Sequence, residues 1–590
     1  MCSGAARAQL RPTMGVTTPA TDTTPRMVNI EKADRLRYKK VDSTNELQIA
    51  AGDVYFRDGK TKVYCDSAVY NKNLKIVEAF GNVHIIDSDT IHTYSKYLIY
   101  HSDTKMANLE KQVKLTDGKT ILTTQNLDYN TNLKIGTYRN GGKIVSGKTV
   151  ITSQEAVYYS ELKDVYFKRD VKLKDPGYDL MTDSLLYNTE SQLATFITET
   201  YIKDSSGTEI VTDNGFYDLK NKKSELTGRS TVKDKSLTVT GDELAMDDES
   251  GMFEAKGNAI MIDTAQGLTL LANNIKANRQ NNTFLATQHP LMILEQNNDS
   301  VYVTADTLFS GLLKDDSVKS VMTDITPTDT TLKKELDSMP PSLSLTKIDT
   351  FLALEVDPDK PKDTANTTAE DSTNQNRFFK GFHNVRIFSD SLQAVSDSLF
   401  YSGRDSVFRL YKDPILWANK SQVTGDTIYL FTRNKKPDRL RVFENAMMIN
   451  LAKGALYNQL KGTTIDAYFK GGDIDFVESV GSPAESIYYV QDEDSAFVGM
   501  NTATARNINM YFLAKELNRV VYKKEVAGTT YPILQVPEEK KILRNFKWQD
   551  NRRPKTKFEL FEDLPEPESP APIREQLEEQ ITIKEKKVLP

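Results

Sequence analysis

The chain has 590 residues, more than one compact core organises, so it holds two or more domains or an array of repeats. Its 76 basic and 82 acidic residues leave a net charge of -6, too small at this length to draw it to nucleic acid or an anionic membrane surface. Two cysteines exclude a disulfide framework, and five scattered histidines have no metal-ligand spacing, so neither a metal nor another cofactor is expected.

Tyr (27) and Phe (24) far outnumber Trp (2), and the chain is rich in Thr, Val and Asn/Asp turn residues, which points to an all-β protein. No run of 18 apolar residues occurs, so no transmembrane helix is expected. In chain order, residues 1–27 come first. Ala6-Arg7-Ala8 resembles the small-residue end of a secretory cleavage site, but the apolar stretch that precedes such a site is missing. The segment reads as a truncated signal peptide or as a disordered N-terminus, and Cys2 lacks the context of a lipid anchor.

Residues 28–325 form the first repeat block. The positions equivalent to Ala68 are Leu98, Leu127, Ala156, Leu185, Gly215, Leu244, Ile275 and Leu308, at steps of 29 to 33 residues. Two residues further on stand Tyr70, Tyr100, Tyr129, Tyr158, Tyr187, Tyr217 and Met246, then Ala277 and Ser310. Residues two apart on a strand share a face, so this pair looks into an interior. The residue between varies from Val69 to Asp128 to Lys276 and faces out. A period near 30 leaves room for two or three strands per unit, separated by turns such as 71–73, 130–132 and 278–282. A single unit cannot bury its apolar face, whereas stacked units can. One strand spacing per rung gives nine rungs a length of roughly 40 Å. Gly81-Asn82 reads as a break between two strands, and 163–175, with five bases and three interleaved aspartates, reads as a solvated hairpin. Asp66, Asp183, Asp242, Asp306, Asp397 and Asp426 recur at the period and read as backbone caps just before strands.

Residues 326–377 are rich in Asp, Thr, Ser and Pro and read as a linker or insertion, with a short helix near Leu332–Leu336. A second repeat block spans 378–534, with Leu399/Tyr401 and Ile428/Leu430 in register and Ala467/Phe469 and Met510/Phe512 at looser spacing. Residues 535–590 are a charged, Pro-containing tail, surface-attached or disordered.

The stretches VYCDSAVYN (63–71), AFGNVHIIDSDTIH (79–92), YRNGGKIVSG (138–147), FRLYKDPILWANKSQVTGDTIYLFTRNKKP (408–437) and NRRPKTKFELF (551–561) resemble the OstA-like family. These are periplasmic lipopolysaccharide-transport proteins that include LptA and the N-terminal domain of LptD, and the resemblance is to their long Bacteroidetes members. It implies a stacked β-jellyroll, V-shaped in section, that shields lipid acyl chains in the cell envelope and assembles end to end with other jellyroll proteins. Lipopolysaccharide or lipid A is then the implied partner, and self-association of copies a further one. LptD continues into a membrane barrel; here a charged tail follows the repeats, which favours the LptA-like, non-enzymatic role. On that reading the groove is lined by Ala68, Tyr70, Leu98, Tyr100, Leu127, Tyr129, Ala156, Tyr158, Leu185, Tyr187, Leu244 and Met246. A second reading is a structural or adhesive β-solenoid whose inward residues fill their own core. A third, a polysaccharide-acting β-helix enzyme, would need carboxylates clustered in one or two rungs, and the aspartates are spread instead. A buried tyrosine hydroxyl needs a partner, which places the tyrosines at the groove mouth or at seams between rungs.

Overall fold

The computed structural model describes residues 28–42, 46–296, 299–313, 376–433, 436–492 and 496–562. Residues 1–27, expected to be a truncated signal peptide or a disordered N-terminus, the short helix expected near Leu332–Leu336 and the tail beyond residue 562 lie outside them. Among the described residues no α-helix occurs, and the protein is all-β, built of stacked antiparallel strands. The chain separates into two compact units, Met1–Ser205 and Ser206–Pro590.

In the first unit the backbone runs back and forth through Glu46–Asp58, Thr61–Asn71, Ile76–Asp87, Ile91–His101, Met106–Thr116 and Thr120–Asn130. Each of these strands pairs antiparallel with the one before and the one after. The period of about 30 therefore holds two strands, and each unit advances by about two strand spacings, ~9.6 Å, twice the advance that one spacing per rung gives.

The strands bend in the middle without ending. The register slips between Ala51 and Val54, Tyr64 and Ser67, Phe80 and Val83, and Tyr94 and Tyr97. Consecutive left-handed residues mark several bends: Gly52 with Asp53, Lys111 with Gln112, Arg169 with Asp170. Two such residues in a row form a bulge that swings the second half of the strand away from the first. Gly81-Asn82 is one of these corners inside Ile76–Asp87, not a break. Likewise 163–175 is not a hairpin: Asp164–Lys174 is a single strand bent at Arg169-Asp170. Each long strand thus crosses two limbs, elsewhere two short strands such as Ile135–Tyr138 and Gly142–Ser146 take one limb each, and the inward faces of the two limbs meet. A Cβ placed on Gly136, in one limb, would lie 3.8 Å from Leu115 of the other and 3.6 Å from Leu127.

The ends of one limb turn alike. Asn71 Oδ1 accepts the amides of Asn73 and Leu74, and Asn130 and Asn188 do the same two and three residues on. Each turn closes on a left-handed residue, Lys75, Lys105, Lys134, Lys163 and then Gln192.

The second unit repeats the pattern from Glu209 to Pro532. Thr307–Leu312 pairs directly with Arg377–Phe382, and the Leu313 amide donates to the Asn376 carbonyl at 2.8 Å. Within the second unit the strands on either side of residues 314–375 are therefore direct neighbours in the ladder. After Ala527–Pro532 the backbone folds back over the outer face in 3-10 turns, Ile533–Gln535, Glu538–Lys540, Asp550–Arg552 and Lys557–Phe561.

Candidate functional site

In the first unit the inward row of one limb runs across the strands as Tyr70, Val77, Tyr100, Ala107, Tyr129, Gly136, Tyr158, Val165, Tyr187 and Ala194, each paired with the next. Rings alternate with small residues, so each ring has space beside it. The Tyr repeat is legible in the sequence; the small residues on the returning strands are the signal that was missed. Beside this row lie Ala68, Leu98, Leu127, Ala156 and Leu185. The opposite limb presents Val63, Ile85, Leu115, Leu122 and Ile144, all buried. In the second unit Leu244 and Met246 hold the same inward positions. All twelve residues proposed for the groove are buried, and most are under 3% exposed. The interior is filled by the protein's own side chains.

Where the two limb tips meet, the mouth of the first unit is bridged three times. Tyr100 Oη donates to Asp58 Oδ2 at 2.7 Å, and Lys105 Nζ donates to the same oxygen at 2.6 Å. Tyr129 donates to Asp87 Oδ2 at 2.9 Å, and Lys134 donates to that oxygen too. Tyr158 and Lys163 reach Asp117 Oδ2 at 3.3 and 2.8 Å. The carboxylates are 2%, 2% and 7% exposed in their side chains. Burial, then the neighbouring carboxylate, pushes the hydroxyls of Tyr100, Tyr129 and Tyr158 up from the ordinary tyrosine range. Burial alone would raise the Asp117 carboxyl, but the Lys163 ammonium and the amides of Thr120 and Lys119 outweigh it and hold it below the usual range. At the next rung Ser146 and Gln192 replace the carboxylate and the lysine, and Ser146 Oγ donates to the Thr189 carbonyl at 3.3 Å. In the second unit Met246 stands where the ladder had tyrosine, and a shallow pocket lined by Met246, Asp248, Gly251 and Arg279 lies at that tip.

Of the periodic aspartates, Asp306 and Asp426 stand just before the strands Thr307–Leu312 and Thr427–Arg433, as expected, whereas Asp66, Asp183, Asp242 and Asp397 lie at corners inside continuous strands. Asp66 accepts the Asn82 amide at 3.1 Å, and its carboxylate would overlap any Cβ on Gly81, which sits at φ +93°. Asp242 binds Asn258, Asp306 binds Asn384 and Asp426 binds Asn445 in the same way. These hydrogen bonds pin the bends. Among the described residues no group of three or more His, Cys, Asp or Glu could hold a metal ion.

At one corner Asp397 accepts from Ser398 at 2.7 Å, His383 at 3.0 Å and Lys412 at 3.1 Å. Burial raises its carboxyl, but these donors outweigh it and bring it down to about 2. A carboxyl depressed on folding stabilises above its unfolded value, near 3.8, and that contribution fades as pH falls toward 2. An NMR titration of Asp397 is expected to show a midpoint near 2, and Asp397→Asn is expected to remove that part of the acid sensitivity. A midpoint at the ordinary carboxyl value would refute the pin.

On the outer face of the second unit the segment 533–562 lies across the strands. Gln459 Nε2 donates to the Lys541 carbonyl at 2.9 Å and its Oε1 accepts the Leu543 amide at 2.8 Å. Gln422 does the same with the Lys547 carbonyl and the Gln549 amide, both at 2.7 Å, and Gln393 Oε1 accepts Arg553 Nε at 2.8 Å. Side-chain amides on strands that are not direct neighbours thus satisfy the backbone of a segment that has no ladder of its own. Tyr457 packs on Phe546 and Trp548, and Leu560 is buried.

Residues 26–183 match the model of the OstA-like protein family. No curated protein matches the chain. Among solved structures, LptH of Pseudomonas aeruginosa, described as the LptA homologous periplasmic component of the conserved lipopolysaccharide transport device, aligns at 15% identity and a TM-score of 0.13, covering 24% of this chain and 83% of that one.

Proposed function

We propose that this chain, OstA-like over residues 26–183, is a non-enzymatic periplasmic protein of lipopolysaccharide transport that shields acyl chains between the limbs of its bent strands. The observation that carries this reading is the unbroken inward row from Tyr70 to Ala194, facing an aliphatic row on the other limb. Leaving one acyl chain of about a dozen methylenes in water costs ~10 kcal/mol, at ~0.8 kcal/mol per methylene. A carrier must offset that cost at every step without one preferred site, and near-identical rungs do so. The twelve inward residues from Ala68 to Met246 are then the lining that acyl chains meet. Lipopolysaccharide or lipid A is the cargo, and nucleic acid is not a partner. Arg35–Lys40, exposed along its length, offers a strand edge for end-to-end pairing with another jellyroll protein or a second copy.

The filled interior favours one other reading, an envelope scaffold or adhesin with no cargo. Photo-crosslinking side chains at Tyr129 and Tyr187 separate the two. Capture of lipopolysaccharide in cells from these positions, and not from the outward Lys276, is expected of the carrier. Equal capture, or none, at all three positions would leave the scaffold.

A further inference from the structure

We propose that the Tyr–Asp–Lys bridges of the first unit are a row of latches that hold its mouth shut and must part for an acyl chain to reach the interior. The inference rests on the carrier reading for its ligand, but the latch itself rests on geometry. The three bridges recur at the repeat spacing, Asp58, Asp87 and Asp117 against Tyr100, Tyr129 and Tyr158. Each joins limb tips that are not neighbours in the ladder, so no backbone pairing holds them together. Each places a cation and a hydroxyl on one buried carboxylate oxygen, an arrangement stable only while all three groups stay together. Opening hydrates the ion pair and frees the ring in one step, which makes closure cooperative along the row.

The lip has the chemistry of an anionic amphiphile's complement. Leu133 and Leu162 stand 61% and 65% exposed on the turns, each next to a latch lysine. An apolar contact beside an ammonium suits a lipid whose chains lie next to a phosphate, and such a headgroup can take over the lysine as the carboxylate lets it go. At the fourth rung Ser146 and Gln192 give up both charges together, so the chain itself contains a neutral version of the position.

The test measures the mouth directly. Spin labels at the exposed turn residues Lys60 and Asp103, in full-length protein carrying Cys2→Ser and Cys65→Ala, report the distance between limb tips. The unaltered latches are expected to give one narrow, short distribution. Replacing Asp58, Asp87 and Asp117 by Ser and Lys105, Lys134 and Lys163 by Gln copies the fourth rung three times. This variant is expected to raise a longer-distance population on the order of tenfold. Lipid A is expected to raise the same population in both proteins. A distribution unmoved by the substitutions overturns the latch. So does lipid A that binds without any change in distance, an outcome that leaves the carrier standing. A mouth that opens on substitution yet takes up no lipid A upholds the latch and sinks the carrier. Should the charge variant fail to fold, Tyr100→Phe, Tyr129→Phe and Tyr158→Phe together keep rings and ion pairs. They must show the longer population, in smaller amount, or the proposal falls.

Discussion

Replacing Trp417 by alanine is expected to destabilise the second unit by about 3–5 kcal/mol, the range for deleting a buried large aromatic. The residue is fully buried although it sits on the outer face of its strand, clustered with Val395 and Ile415. The C-terminal segment is tied to it through a shared partner. Trp417 Nε1 donates to Gln422 Oε1 at 3.3 Å, and the same oxygen accepts the Gln549 amide. Removing the ring therefore opens a cavity and loosens the amide that holds the segment down. Hydrogen exchange should rise first at 541–553 and at Ser421–Thr424, while the first unit is unchanged. A chain ending at Pro532 should reproduce that exchange at Ser421–Thr424 without a core substitution. If Trp417→Ala leaves 541–553 as protected as before, the segment is anchored by something other than this cluster.

The second large effect concerns the ion pairs. Lys134→Met leaves Asp87 almost fully buried with only the neutral hydroxyls of Tyr129, Thr61 and Ser88 beside it, and the expected cost is about 3–5 kcal/mol, the usual penalty for stranding a buried charge. Removing both charges in Asp87→Ser with Lys134→Gln is expected to stay within about 1 kcal/mol of the parent, because desolvation of the pair cancels much of its attraction. Urea midpoints reporting on the first unit decide the matter. Equal losses in the single and the paired variant would mean that the two groups are not coupled across the mouth.

Much of the architecture is written in the chain at short range. The Ala/Leu-x-Tyr repeat, its 29- to 30-residue step and the Asn-led turns specify strands, faces and stacking, because alternation and Asx turns depend on residues two or three apart. The corners were misread for a physical reason. Gly-Asn and Arg-Asp are turn residues because they tolerate left-handed backbone, and a bulge uses that same tolerance inside a continuous strand. A sequence window cannot tell the two apart until the partner strand is placed. Four of the periodic aspartates were displaced by the same ambiguity, from positions before strands to corners inside them, such as Asp66 on Asn82.

What the sequence determined by itself is which side chains face inward, since that follows from a period of two along each strand. Only the tertiary structure decided what closes over them. Asp58 meets Tyr100 and Lys105 across 42 and 47 residues, and Gln422 meets Gln549 across 127. Such contacts depend on the angle at each corner and on where a distant segment returns. Local propensity does not encode either, because they emerge from the accumulated bend and twist of many stacked strands.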